Sequence, residues 1–203
     1  MRYKYRCVDE KEILDIYKND ELYKSWYRIV RKILRNNEFQ KRRLFTHHEG
    51  ESLWSHSIKV SFNSYKYALK HNVNERNCAI AGLLHDFYTR AWQDGIELEE
   101  LEDKYRDRFI NQKKEKLLEM HGFTHPYEAL ENSRKYFKKY LNKNIENAIV
   151  THMFPLSLFT KEKLPNCKEA FVITLIDKKV SMNILGSFKT ILKYAGLVKT
   201  EKY

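Results

Sequence analysis

Apolar residues recur at three- and four-residue spacing along most of this chain, and little interrupts them: 203 residues contain Gly 6 and Pro 3. Helix-period patterning with so few breakers predicts an all-α fold, a helical bundle. Leu22, Trp26, Ile29, Val30, Ile33 and Leu34 form one stripe. A second helix is expected from about Leu53 to Lys70, with Ser52 as N-cap and His56, Val60, Asn63 and Tyr67 on its inner face. A third lies near 75–86 and contains the apolar run AIAGLLHDF. Pro126 suits the first position of a helix reaching about Leu141, with Ala129, Ser133, Phe137 and Tyr140 inward. A short helix puts Ile145, Ala148, Ile149 and His152 on one face and ends before Pro155. A long helix covers about 168–184, and Gly186 separates it from a last one in which Ile191, Leu192 and Ala195 face inward. Residues 9–18 suggest a short first helix. The segments NNEFQKRRLFTHHEGES and MHGFTHP read as loops, and the charged stretch at 102–119 as a solvated helix with the option of covering a cleft.

No repeat, low-complexity tract or linker divides the chain, so 1–203 reads as one helical domain. Lys+Arg 38 against Asp+Glu 27 gives a formal charge of +11, a surface that attracts anions. The cysteines, Cys7, Cys78 and Cys167, are odd in number and widely spaced, which is no disulfide framework; Cys78 lies in an apolar run and reads as a buried thiol. The first residues lack the apolar centre of a signal peptide, and no window approaches the roughly 20 apolar residues of a spanning helix. The expectation is a soluble, cytoplasmic chain without a membrane partner.

Histidine and aspartate fall where apolar residues belong. His56 stands in a helix among apolar and small side chains, and His85 and Asp86 end an apolar run. His152 takes the inward face of its helix, and Asp177 is flanked by Ile173, Ile176 and Val180. Any one alone would be an ordinary core residue with a hydrogen bond. Together they resist that reading, because burying an unpaired carboxylate is expensive and two nearby carboxylates repel. A divalent cation between them removes both difficulties, and imidazole with carboxylate is a ligand set for iron, manganese, zinc, cobalt or nickel.

This pattern resembles the HD superfamily of metal-dependent phosphohydrolases. Its signature is a helix His, a downstream His-Asp pair and a late helix Asp, matched here by His56 in SLWSHSIKV, His85-Asp86 in AGLLHDF and Asp177 in TLIDKKV. The match covers about 50–180, with the N-terminal helices and C-terminal helix packed on that core. His125 in FTHPYEA and His152 in AIVTHMFPL are similar to the added histidines of a two-metal, dinucleoside-tetraphosphatase-like subgroup. The resemblance implies a first metal on His56, His85, Asp86 and Asp177, and a second on His125 and His152 with Asp86 as bridge. Iron or manganese is favoured. A one-ion version leaves His125 and His152 to bind substrate phosphate or act as general acid. His121 is expected in a loop or supporting role. The implied reaction is hydrolysis of a nucleotide-type phosphate ester or anhydride by an acidified water, with Asp86, Asp177, His125 and His152 as the catalytic side chains.

Lys59 stands one helical turn past His56, Lys178 follows Asp177 directly, and Arg90 lies just beyond the His-Asp pair. These three, with His47 and His48 of the basic loop, are candidates for contact with substrate phosphate. Phe87, Tyr88 and Trp92 offer base stacking, although core packing is the simpler role. The charged 97–120 stretch looks like an insertion relative to the dinucleotide-hydrolysing pattern, which leaves the substrate open. Two other classes stay in view. A two-iron oxygenase would use the same six ligands on a small substrate. A basic nucleic-acid-binding or signalling protein would suit the charge, but no nucleic-acid motif is present and no stable nucleic-acid partner is expected. The partner expected is a small phosphate or nucleotide, and the oligomeric state is open.

Overall fold

A computed structural model describes residues 18–44, 52–88, 121–160 and 164–181. These residues form seven α-helices and no sheet. In chain order they are α1 (Tyr23–Leu34), α2 (Asn37–Gln40), α3 (Leu53–Lys70), α4 (Glu75–Leu84), α5 (His121–Phe137), α6 (Lys143–Thr151) and α7 (Lys168–Ser181). Short 3-10 turns at Lys41–Leu44, Lys138–Tyr140 and Leu156–Phe159 follow α2, α5 and α6. None of the described helices is long and apolar enough to cross a membrane.

Side-chain caps set most helix starts. Ser52 accepts from the Ser55 amide at the head of α3, and Asn74 from the Asn77 amide at the head of α4. Asn142 accepts from both the Asn144 and Ile145 amides at the head of α6. Each contact satisfies an N–H that the helix itself leaves without a partner.

The core runs between α1, α3, α4, α5 and α6, with Trp26, Ile33, Ile58, Phe62, Leu83 and Ile149 among its fully buried side chains. Each such aliphatic or aromatic side chain contributes about 1.5–3 kcal/mol by leaving water. A smaller cluster of Val60, Ala68, Cys78, Val172 and Ile176 joins α3 and α4 to α7. Cys78 is the buried thiol expected, and burial pushes its pKa up to about 12.

Gly82 sets the distance between α3 and α4. A Cβ there would lie 2.8 Å from the Ser61 Cα, on backbone that cannot move aside. Beside this contact, the Trp26 indole N–H donates to Ser61 Oγ at 2.9 Å, and that hydroxyl donates to the Ala79 carbonyl at 2.6 Å. The close approach brings the helix bearing His56 against the helix that ends at His85.

Within the described residues, two expected loops are helical, over 37–44 and 121–126. Asn36 caps α2 by accepting from the Glu38 amide, and Phe39 anchors that turn in the core. Arg42 follows, buried, with its guanidinium 4.0 Å over the Phe87 ring. Burial pushes the Arg42 pKa down to about 10, against the attraction of Glu38 and Glu128. The HGFTHP stretch forms the start of α5, so Pro126 sits inside the helix instead of opening it. Beyond the first turn, proline forfeits an intrahelical hydrogen bond and crowds the Gly122 carbonyl, a cost offset by the buried side chains on either side, Phe123, Tyr127 and Leu130. The expected helices at 9–18, 102–119 and beyond 184 lie outside the described residues.

Candidate metal centre

Two helices end in the same way. His85 follows the last residue of α4, and His152 follows the last residue of α6. Each ring donates its Nδ1–H to a carbonyl three residues back: His85 to Gly82 at 2.9 Å, His152 to Ile149 at 2.7 Å. Those carbonyls belong to the last helical turn, where acceptors lack intrahelical partners. The bond puts a proton on Nδ1, so Nε2 is the ring atom aimed away from the helix end and open to a metal once it is unprotonated.

Four imidazoles and two carboxylates converge there, all buried. His56 Nε2 lies 3.2 Å from His85 Nε2 and 3.0 Å from Asp177 Oδ1. His85 Nε2 is 3.4 Å from the same Asp177 oxygen and 3.3 Å from Asp86 Oδ2, while His56 Nε2 is 3.7 Å from Asp86 Oδ2. On the other side, His125 Nε2 and His152 Nε2 are 2.9 Å apart. They stand 3.2 Å and 3.4 Å from Asp86 Oδ1. The Asp86 carboxylate therefore has one oxygen in each group.

The donor chemistry tests whether a metal belongs here. Asp86 Oδ1 is buried and receives no hydrogen bond of acceptable angle, despite its two imidazole neighbours. A buried carboxylate oxygen left this way costs several kcal/mol unless a cation meets it. The trios His56, His85, Asp177 and His85, Asp86, His152 each bring three ligand atoms within 4.8 Å of one another. These are two buried His/Asp clusters, each able to hold a divalent ion.

The electrostatics agree. Burial raises the Asp86 and Asp177 carboxyls, yet neighbouring histidines hold both well below the usual carboxylate range. Burial lowers His85, but Asp86 and Asp177 overcome it and push its pKa up to about 10. His152 goes the other way: burial wins over Asp86 and lowers it, so this ring is neutral. Positive charge is favoured between the two carboxylates, and an unprotonated ligand on the far side.

The supports come from packing. Asn132 of α5 donates to the Phe87 carbonyl at 3.0 Å, tying the chain just after Asp86. Ser181 Oγ donates to Asp177 Oδ1 at 3.2 Å. The Tyr88 ring lies edge-on to His125, centroids 5.9 Å apart, and both Phe87 and Tyr88 are core residues. Lys178 donates its ammonium to the Phe154 carbonyl, and burial lowers its pKa. Lys59, one turn past His56, is half-buried. His47, His48, Arg90 and Trp92 lie outside the described residues, as does the side chain of His121, whose backbone opens α5. Sequence reasoning overlooked Gly82, Asn132 and Arg42. Only Arg42 had a usable signal, the Asn36 cap and apolar Phe39 just before it.

A family model described as HD domain matches residues 53–182. No curated protein and no solved structure matches the chain.

Proposed function

The chain belongs to the HD-domain family, and on that premise we propose that it is a metal-dependent phosphohydrolase acting on a nucleotide-type phosphate ester or anhydride. The observation that carries this reading is the division of Asp86, with Oδ2 near His56 and His85 and Oδ1 near His125 and His152. One carboxylate shared between two imidazole pairs suits two ions better than one. His56, His85, Asp86 and Asp177 would hold the first; Asp86, His125 and His152 would hold the second with fewer protein ligands and more open positions.

Ions bound there supply positive charge against the phosphoryl oxygens and acidify a water nucleophile. We favour iron or manganese, since the set mixes imidazole with carboxylate and has no thiolate. The remaining work falls to the chain. The Gly82 and Ile149 carbonyls keep two Nε2 lone pairs pointed inward. Among the described residues, the close contacts of Asp177 fall on Oδ1, which leaves Oδ2 to orient water. Lys178 and Lys59 are the cations we assign to substrate phosphate; a phosphate would draw Lys178 from the Phe154 carbonyl. The preference for a nucleotide-type anion rests on the formal charge of +11 and on the resemblance to the two-metal subgroup.

The test is phosphate release from nucleoside monophosphates and dinucleoside polyphosphates with iron or manganese supplied. Wild type should turn over at least one of them. Asp86→Ala and Asp177→Ala proteins that keep their helical circular dichroism should not. Undiminished turnover in either variant would overturn the assignment.

A further inference from the structure

Away from the six converging side chains, a cavity of about 400 Å³ opens between α3 and α7. None of the six converging residues lines it. The wall from α3 is Asn63, Lys66, Tyr67 and Lys70; the wall from α7 is Ile176, Lys179 and Val180. On each helix these residues repeat at three- and four-residue spacing, so each set is one continuous face. On α3 the lining runs from Asn63 to Lys70, roughly 10–20 Å along the helix from His56, and on α7 Ile176 adjoins Asp177 but stands about 100° round the helix from it, so the cavity opens away from the metal centre.

Its chemistry is one-sided. Three lysines from two helices line it, and among the described residues no carboxylate does. Lys66 reaches outward to Asp20, 3.1 Å away, and that contact is partly exposed on both sides. The same ammonium sits 4.7 Å over the Phe62 ring. Ile176 and Val180 give the cavity an apolar wall, and the Tyr67 ring is held in place by stacking on His71, centroids 4.1 Å apart. Like charges gathered around an apolar hollow repel unless an anion joins them. A volume of this size matches small-molecule pockets, which run from about 300 to 1,000 Å³.

We propose that this cavity binds a small organic phosphate, with its phosphate groups on Lys66, Lys70 and Lys179 and its carbon part against Tyr67, Ile176 and Val180. The site is separate from the hydrolytic reading and requires neither metal nor turnover.

Calorimetric titration of the full chain with a non-hydrolysable ATP analogue and with inorganic tripolyphosphate tests it. The titration is run in wild type and again in Asp86→Ala, where binding at the metal centre is weakened. In both backgrounds the triple variant Lys66→Gln/Lys70→Gln/Lys179→Gln should lose about tenfold in affinity for this site. Neutralising the exposed Lys32, Lys138 and Lys139 instead should leave it unchanged. Asp20→Asn keeps the acceptor for the Leu22 amide but frees Lys66, and should tighten binding by roughly twofold. The ATP analogue should bind more tightly than tripolyphosphate, because only it reaches the apolar wall. Equal loss in the two triple variants, no binding in either background, or equal affinity for the two probes would overturn the proposal. Absence of hydrolysis would leave these results untouched.

Discussion

Two polar clusters, one part-buried and one fully buried, occupy opposite ends of the same helices. At the heads of α4, α6 and α7, Glu169 Oε1 accepts from the Asn77 and Asn144 amides at 3.0 Å and 3.1 Å, and Asn142 donates to Asn77 Oδ1 at 2.9 Å. At the tails of α4 and α6 stand His85 and His152, with Asp86 between them. In the first cluster donors match acceptors. In the second, ring nitrogens crowd one another at 3.2 Å and 2.9 Å beside two carboxylates, and His85 is held protonated up to about pH 10. Helix heads carry partial positive charge and favour a carboxylate such as Glu169, in the first turn of α7. Helix tails carry partial negative charge and favour a cation. The head cluster is complete with protein atoms alone; the tail cluster is complete only with positive charge added.

That contrast can be broken from either end. The largest effect is expected from Asp86→Ala. It should remove both ions and lower turnover by more than the roughly 10–100-fold typical for loss of an outer-shell partner. Helical circular dichroism should persist, because the apolar core between α1, α3, α4, α5 and α6 is left intact. Elemental analysis and phosphate release check both halves. Metal should also raise the unfolding temperature of wild type and not of this variant.

Glu169→Ala should do the reverse. It strands the buried Asn77 side-chain amide, while exposed Asn144 turns to water, and should cost about 1–3 kcal/mol in urea unfolding, with metal per folded chain unchanged. Loss of metal in that variant would show that the two ends are not independent. Gly82→Ala should cost a similar 1–3 kcal/mol by forcing α3 from α4, but here metal affinity should fall too, since His56 and His85 are carried on those helices.

A smaller effect is expected with pH. Burial raises the Glu169 pKa, but the Asn77 and Asn144 hydrogen bonds prevail and it lies below its ordinary 4.5. A depressed carboxyl stabilises the fold fully above its unfolded value and loses that contribution as pH falls through the folded one. Wild type should therefore lose stability on acidification below about 4.5, and Glu169→Gln should lose less over the same range. The smallest change is expected from His125→Ala, which should release the second ion and keep the first.

The sequence made the helices legible where apolar spacing was unbroken. α3 matches its expected range, Leu53–Lys70, because Ser52 caps it and the stripe through Val60 has no competing signal. Proline misled at α5, since the burial of Phe123, Tyr127 and Leu130 around it outweighs the lost hydrogen bond. The six His and Asp positions stood out because polar groups are conspicuous on apolar faces. Their grouping did not: which oxygen of Asp86 meets which imidazole depends on how far apart the helices sit, and that distance is set at Gly82 against Ser61. The lysine cavity was equally hidden, because Lys66, Lys70 and Lys179 read singly as solvated residues and acquire meaning only when α3 meets α7.

The most direct test of the central claim is metal content per chain, measured by elemental mass spectrometry. The protein should be purified without chelator, added metal or a metal-binding tag. The account requires close to two equivalents of a divalent transition metal in wild type and close to one in His125→Ala. No metal in wild type, persisting after anaerobic reconstitution with iron and manganese, would contradict it.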